Sequence, residues 1–379
     1  MKSFDMSTFP ARYAPLSRLN SICPYYTMFP LEFPYRILRK APRTSRVLDP
    51  FCGRGTTLYA ARLLSLPSVG IDSNPVAAAI AAAKLVSVQS GDVISQCEEI
   101  FRNPPSSIDL PEGDFWTWCY HRDTLIEICI LREYLLAHCS TPTTIALRAL
   151  LLGILHGPLT KNDASYLSNQ MPRTYATKPD PAAEFWYSRS LRPPRINTLD
   201  VVRRRAKYIF EETPRAVHGR VIQGDVSTAR IGWRHRFTHV ITSPPYLGMR
   251  SYVPDQWLRN WFLGADEDVL YDELQQIGRT ARQSFVKELA AVWTRIAGLC
   301  ENNARFVVRF GALPSVAEEP AEIVKESFAN SATNWKIETV REVPPPPKSR
   351  RQAHQFADGL GTALTEVDVY ASLVQHIPE

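Results

Sequence analysis

The sequence predicts an α/β fold in which a doubly wound, mainly parallel sheet is interrupted by a mainly helical insertion. Short runs rich in valine and isoleucine occur in both halves of the 379-residue chain, helical patterns alternate with several of them, and the middle of the chain is helical in pattern. Runs that are largely apolar are typical of strands buried on both faces. The predicted strands are residues 45–49, 68–72, 220–223, 238–242 and 304–310.

Helices are predicted where apolar residues recur at three- and four-residue spacing. Beside the strands these are residues 56–66, 75–86 and 271–300, and in the middle of the chain they are 115–139 and 144–156. Prolines predict loops at 103–111, 171–181 and 193–194.

These patterns divide the chain into three parts. Residues 1–90 and 220–379 form the two halves of the sheet domain, and residues 91–219 form the helical insertion. Length alone allows either two or three domains or one large domain with an insertion, and the strand pattern favours the second.

Composition excludes several classes of protein. Hydrophobic residues make up 45% and charged residues 22% of the chain, as in ordinary globular proteins. The most apolar stretch, residues 143–157, is shorter than the roughly 20 residues of a membrane span and contains Arg148 and His156. The N-terminus lacks a secretory pattern, and the cysteines form no C-x-x-C pair, which argues against zinc and disulfides. We predict a cytoplasmic protein without a membrane span or a metal site.

The basic charge is concentrated in one segment. The net charge is +6, and 34 of the 44 basic residues are arginine. Residues 184–236 carry a surplus of +7. Because arginine offers a planar fork for phosphates, this segment is a candidate contact for a nucleic-acid backbone. Two alternatives stay open, a solvated helix face and an arginine content that follows genome base composition.

A glycine loop follows the first predicted strand, which ends at Asp49. The loop, residues 50–57, reads PFCGRGTT, and its glycines allow a ligand to approach the backbone closely. Leu58 stands where the dinucleotide fingerprint needs a third glycine or alanine, and no P-loop occurs. The second strand ends at Asp72, an acid placed to hold ribose hydroxyls. The alternative is that Asp72 caps the following helix.

A second motif follows the predicted strand 238–242. Ser243, Pro244, Pro245 and Tyr246 form the segment S-P-P-Y, in which two prolines hold the chain in a rigid extended turn. A hydroxyl, a carbonyl and an aromatic ring therefore project from the strand end. Alone the segment could be an ordinary loop, but its place downstream of the glycine loop favours a catalytic role.

Together, DPFCGRGTT at 49–57 and TSPPY at 242–246 resemble the S-adenosylmethionine-dependent DNA amino-methyltransferases. The resemblance extends to residues 26–30, which are similar to the segment that covers the cofactor in that family, and to Asp225. It implies a Rossmann-like methyltransferase sheet. The family associates S-P-P-Y with the N4 amine of cytosine, and D-P-P-Y or N-P-P-Y with the N6 amine of adenine. Ser243 therefore implies cytosine N4.

The resemblance implies S-adenosylmethionine as the cofactor. Asp49 and the loop glycines would surround its methionine part, Asp72 its ribose and Asp225 its adenine. The implied cofactor contacts are Phe29, Asp49, Phe51, Gly53, Gly55, Thr56, Asp72 and Asp225.

The implied catalytic residues are Ser243, Pro244, Pro245 and Tyr246. Ser243 and the carbonyl oxygen of Pro244 would accept hydrogen bonds from the target amine. Tyr246 would stack on a base taken out of the duplex, because the amine cannot meet the methyl group inside it.

The implied substrate is double-stranded DNA, and no known target-recognition domain is visible in the insertion. Two roles stay open for the insertion, namely binding DNA and burying the sheet. The residues predicted to contact DNA are Arg203, Arg204, Arg205, Lys348, Arg350 and Arg351. Such an enzyme would serve DNA modification, and the sequence leaves open both a cognate restriction endonuclease and the oligomeric state.

Three other functions stay open. One is methylation of adenine N6 in DNA. Another is methylation of guanine N2 in RNA by enzymes whose loops also read D-P-F-C-G-x-G, although these usually carry an N-terminal RNA-binding module. The third is a catalytically silent nucleic-acid-binding protein, which the intact motifs disfavour.

Overall fold

Seven strands form one sheet in the part of the chain that the structure, a computed structural model, describes. The described residues are 15–25, 29–157, 164–168, 179–247, 256–267, 282–312, 319–343 and 365–374. The strands are Val47–Asp49 (β1), Ser68–Asp72 (β2), Gly219–Gln223 (β3), Phe237–Thr242 (β4), Cys300–Ala312 (β5), Trp335–Val343 (β6) and Thr365–Leu373 (β7).

The order of the strands in the sheet is β3-β2-β1-β4-β5-β7-β6. The first five in this order are parallel to one another, whereas β7 is antiparallel to both β5 and β6. The order reverses at β1, and open α/β sheets bind ligands at such a reversal, outside the carboxyl ends of the strands. The glycine loop follows β1 and S-P-P-Y follows β4, so both motifs lie at the reversal.

The predicted doubly wound, Rossmann-like α/β fold is confirmed, and each of the five predicted strands is present. Two strands, β6 and β7, are not predicted. Most residues of β6 are exposed or only partly buried, so this edge strand lacks the apolar run by which the buried strands are found.

Helices connect the strands and fill the middle of the chain. In the described ranges they are Ser17–Asn20 (α1), Glu32–Leu38 (α2), Thr56–Leu63 (α3), Pro75–Ala83 (α4), Ser90–Arg102 (α5), Asp114–Cys119 (α6), Arg122–Ala137 (α7), Pro142–Ile154 (α8), Pro179–Ser188 (α9), Thr198–Ile209 (α10), Trp257–Phe262 (α11), Arg282–Ala297 (α12) and Pro320–Ala329 (α13). None of them is long and apolar enough to cross a membrane.

Several predicted boundaries are wrong. The predicted helices 56–66 and 75–86 each end three residues earlier, at Leu63 and Ala83. The predicted helix 115–139 is two helices, α6 and α7, because the backbone is extended at Tyr120 and at His121, whose ring accepts a hydrogen bond from the Asp123 amide. The predicted loop 171–181 ends in a helix, since α9 begins at Pro179, and residues 171–178 lie outside the described residues. Within the predicted helix 271–300, residues 271–281 lie outside the described residues, and α12 ends at Ala297 because Cys300 already belongs to β5.

The chain forms two compact units, which we call the helical unit and the sheet unit. The helical unit is Met1–Pro24, Ala82–Ala216 and Tyr252–Glu273, and the sheet unit is Tyr25–Ala81, Val217–Ser251 and Leu274–Glu379. In the helical unit α5 contacts α7, α8 and α10. In the sheet unit α12 and α13 contact β5.

Trp293 of α12 is central to the core of the sheet unit. Its ring is fully buried and lies 4.9 Å from Phe306 on β5 and 5.6 Å from Phe328 on α13, measured between ring centroids. Its indole N–H donates to the hydroxyl of Ser327 at 2.8 Å, so the polar atom of this large side chain is satisfied. This packing holds two helices against the strand that neighbours β4.

Candidate active site

The loop between β1 and α3 turns at two glycines. Gly53 has φ +49° and Gly55 has φ +76°, conformations that residues with a Cβ rarely adopt. A Cβ at Gly55 would lie 2.8 Å from the Cβ of Ala81, so the loop lies directly against α4. A Cβ at Gly53 would meet no atom within 4 Å. Gly55 therefore permits close packing, whereas the backbone at Gly53 borders open space that a ligand can fill.

Asp49, the last residue of β1, is a buried acid with one unsatisfied oxygen. Its Oδ1 accepts hydrogen bonds from the Thr242 hydroxyl at 2.6 Å and from the Phe51 amide at 3.2 Å. Its Oδ2 has no hydrogen-bond partner among the described residues. Burial raises the pKa of Asp49 to about 7, and the hydrogen bond from Thr242 opposes part of this rise.

Asp72, the last residue of β2, holds the glycine loop. Its Oδ2 accepts from the Gly53 amide at 2.8 Å and its Oδ1 from the Asn74 amide at 2.9 Å. Burial raises the pKa of Asp72 to about 6. Helix α4 is capped by Asn74, whose side-chain oxygen accepts from the amides of Val76 and Ala77. The alternative prediction that Asp72 caps this helix is therefore wrong. Each oxygen of the Asp72 carboxylate keeps a lone pair that can accept a hydrogen bond from a ribose hydroxyl.

Asp225 lies beside Asp72 at the carboxyl end of β3. The amide of Gly224 donates to the backbone oxygen of Asp72 at 2.9 Å, which joins the two strand ends. The exposed side chain of Asp225 accepts from the Ser227 amide at 2.6 Å. The structure thus brings the ends of β1, β2 and β3 together with their three acids.

The S-P-P-Y segment leaves β4 with Ser243 partly buried, Pro244 buried and Pro245 exposed. The Tyr246 phenol donates to Glu366 Oε1 on β7 at 2.9 Å, and its ring lies edge-on to Phe310 at 5.3 Å. Burial raises the pKa of Tyr246 well above its ordinary value. The hydroxyl therefore stays protonated and fixes the direction of the ring.

Glu366 was not predicted as part of the site. It is distant from Tyr246 in sequence, and only the antiparallel pairing of β7 with β5 brings it near. On the same two strands Arg309 and Asp368 form a buried bidentate ion pair. Arg309 Nε donates to Asp368 Oδ1 at 2.7 Å and Arg309 Nη2 donates to Asp368 Oδ2 at 2.9 Å. The Arg309 guanidinium lies 3.7 Å above the Phe33 ring, and Phe29 packs against Phe33 at 5.1 Å.

Phe29 thus packs on Phe33, which in turn contacts Arg309 of β5. Residues 26–28, the remainder of the segment expected to cover the cofactor apart from Pro30, lie outside the described residues. Phe51 is partly exposed and its ring meets Trp293 at 6.4 Å.

The predicted DNA-contacting arginines of α10 belong to the helical unit. Arg203 forms an ion pair with Glu98 of α5 at 2.7 Å, so its charge is neutralised within the unit. Arg204 is exposed and Arg205 is partly buried. The other predicted DNA contacts lie outside the described residues, namely Lys348, Arg350 and Arg351.

The residues at the strand ends fit S-adenosylmethionine. The unsatisfied buried oxygen of Asp49 favours a cationic N–H donor, which the ammonium of the methionine part provides. The open space at Gly53 admits that part beside the backbone, and the partly exposed carboxylate of Asp72 can accept ribose hydroxyls. Thr56 Oγ1 is also buried and has no partner among the described residues.

Comparison with known proteins identifies one matching family. Residues 12–83, which contain β1, the glycine loop, β2 and α4, match the model of the DNA methylase family. A search of curated proteins finds no match.

Several solved structures are similar to this chain. They include the rRNA methyltransferase aviRa of Streptomyces viridochromogenes (15% identity, 94% of this chain and 92% of that chain, TM-score 0.36). An rRNA methylase of Streptococcus thermophilus has 8% identity over 93% of this chain and 100% of its own, with a TM-score of 0.34. A TehB-like methyltransferase of Corynebacterium glutamicum has 11% identity over 90% of this chain and 86% of its own, with a TM-score of 0.31. The DNA methylase match and the geometry of the strand ends agree on S-adenosylmethionine as the cofactor.

Proposed function

We propose that this chain is a DNA methyltransferase that transfers a methyl group from S-adenosylmethionine to the N4 amine of cytosine. The proposal is carried by the position of Ser243, which directly follows the residue whose hydroxyl binds Asp49 at 2.6 Å. The proposed acceptor of the target amine is therefore the neighbour in sequence of the residue that hydrogen-bonds to the carboxylate that would hold the cofactor. The DNA methylase match supports DNA as the substrate.

The chemistry needs a polarised amine in line with the methyl group. An aryl amine is a weak nucleophile because its lone pair is delocalised into the ring. Ser243 Oγ and the Pro244 carbonyl oxygen would accept hydrogen bonds from its two N–H groups and direct the lone pair at the methyl carbon. Bound S-adenosylmethionine would supply the methyl group, and formation of the N–C bond would break its C–S bond, with the electron pair leaving on sulfur. The methylated amine would then lose one proton to water.

Tyr246 would hold the flipped base by stacking against it. Its phenol donates a hydrogen bond to Glu366, which holds the ring in one orientation. Preorganisation of this kind lowers the entropy that must be lost when the base enters.

Methyl transfer can be tested with a labelled methyl group and three reactions. The protein is incubated with labelled S-adenosylmethionine and duplex DNA of mixed sequence, RNA of mixed sequence, or no nucleic acid. We expect label in the DNA alone. Label in RNA alone would favour the guanine N2 alternative. No transfer in any reaction, with intact cofactor binding, would favour a silent binding protein.

We also propose that the helical unit contributes to DNA binding through the exposed residues Arg204 and Lys207 of α10. A cavity of about 690 Å³ in the same unit is a poor alternative, because several carboxylates line it and would repel phosphates. These carboxylates are Glu112, Asp114, Asp180, Glu184 and Glu267.

Charge removal on α10 should weaken DNA binding and its dependence on salt. We expect Arg204→Gln with Lys207→Gln to reduce the slope of log K against log salt by about 2, because each phosphate contact contributes about 0.9. The matched control is Arg203→Gln, whose charge is already paired with Glu98, and we expect its slope to stay near that of the wild type. Fluorescence anisotropy at several salt concentrations measures both. If the double variant keeps the wild-type slope, the proposal that α10 contacts DNA is contradicted.

A further inference from the structure

Thr242 places a hydroxyl in the core at the end of β4. The residue is fully buried, and its Oγ1 lies 2.6 Å from Asp49 Oδ1. This is the short range of a hydrogen bond from a hydroxyl to a carboxylate. A valine would fill the same space in a buried strand without a polar group to satisfy, so the hydroxyl is a feature that packing alone does not require.

We propose that Thr242 is a positioning residue for the cofactor, holding Oδ1 of Asp49 so that Oδ2 is the oxygen offered to the ammonium of S-adenosylmethionine. The inference rests on the proposed function. Two donors, the Thr242 hydroxyl and the Phe51 amide, meet on the same oxygen. They fix the plane of the carboxylate, and Oδ2 has no partner among the described residues.

The same hydrogen bond joins the cofactor site to the catalytic segment. Strands β1 and β4 are parallel neighbours, and Thr57 at the start of α3 also donates to the backbone oxygen of Ile241, at 3.4 Å. Ser243 follows Thr242 directly. Asp49 and Ser243 are therefore linked across neighbouring strands through Thr242, and this link would help to set the separation between a bound methyl donor and the amine acceptor.

The test compares Thr242→Val, which keeps the shape and removes the hydroxyl, with Thr242→Ser, which restores it. Binding of S-adenosylmethionine to the full chain is measured by titration calorimetry between pH 6 and pH 8.5. We expect Thr242→Val to raise the Kd about tenfold to a hundredfold, as for loss of a hydrogen bond to a charged group. We expect Thr242→Ser to bind within about threefold of the wild type.

The pH dependence gives a second readout. The ammonium needs the ionised form of Asp49, so binding should strengthen as the pH rises through the pKa of that carboxyl. Loss of the Thr242 hydrogen bond raises this pKa further, and the midpoint should move about one unit higher. Asp72 of β2 also acts on Asp49, because its negative charge raises the same pKa. The Thr57 hydroxyl lowers that pKa. Asp72 and Thr57 are unchanged in every variant, so the difference between variants reports Thr242.

Thr238→Val is the matched control, because Thr238 lies on the same strand and its hydroxyl binds the Arg46 amide at 2.9 Å. We expect it to lower the melting temperature without changing the Kd or the pH midpoint. The inference is overturned if Thr242→Val binds the cofactor like the wild type, or if both valine variants weaken binding equally. A wild-type protein that does not bind S-adenosylmethionine would overturn the proposed function itself.

Discussion

Asp49→Asn is expected to weaken S-adenosylmethionine binding by about a hundredfold or more, because the ammonium loses a buried ionised partner. The same change should stabilise the ligand-free protein at high pH. Burial raises the pKa of Asp49 from 3.8 to about 7 in the folded state. The folded state therefore binds this proton more tightly than the unfolded state does, and stability is lost as the pH rises from about 4 through about 7.

Asparagine is neutral at every pH, so the variant does not lose folding stability as the pH rises. The gain in stability at pH 8 should be about 1–3 kcal/mol, less than the full pKa shift implies, because the new amide group also lacks a partner. At pH 4.5 the gain should largely vanish. Urea unfolding at both pH values and calorimetric titration of the cofactor measure these effects. Equal cofactor binding by variant and wild type would contradict the role of Asp49.

Ser243→Ala is expected to lower kcat for methyl transfer by roughly a hundredfold while leaving the Kd of the cofactor within about twofold. The serine would act on the target amine in the transition state and not on the cofactor, so the loss should appear in the chemical step. Single-turnover rates with saturating DNA and cofactor measure that step. A variant with normal kcat would show that Ser243 is not an acceptor for the amine.

Tyr246→Phe is a second informative variant, because it keeps the aromatic ring and removes the phenol, with its bond to Glu366 and its interaction with Ser243. Its effect should be smaller than that of Ser243→Ala, since stacking on the base is retained. A loss as large as that of Ser243→Ala would indicate that the phenol itself takes part in the transfer.

The parts of the site that could be predicted are contiguous in sequence. Asp49, Gly53 and Gly55 stand in one loop, and the residue types needed for a close backbone turn are visible in the motif itself. Asp72 could be placed because parallel strands end at the same edge of the sheet. Each of these residues depends on a strand that is apolar through most of its length, which is the clearest pattern in this chain.

The parts that could not be predicted depend on pairing between distant segments. Glu366 meets Tyr246 only because β7 is antiparallel to β5. The break between α6 and α7 at Tyr120 and His121 depends on local backbone geometry next to the polar run 121–124, because apolar residues at helical spacing stand on both sides of it. Charge alone could not tell that Arg203 is paired with Glu98 whereas Arg204 is exposed.

The central claim is the identity of the methylated nucleoside. Duplex DNA of mixed sequence is treated with the protein and S-adenosylmethionine, digested to nucleosides and separated by chromatography with mass detection against standards. Cytosine methylated at N4 should appear with the wild type and fall at least tenfold in the initial rate with Ser243→Ala. Methylation of adenine at N6, with no methylated cytosine, would contradict the account of Ser243 as the residue that marks a cytosine N4 enzyme.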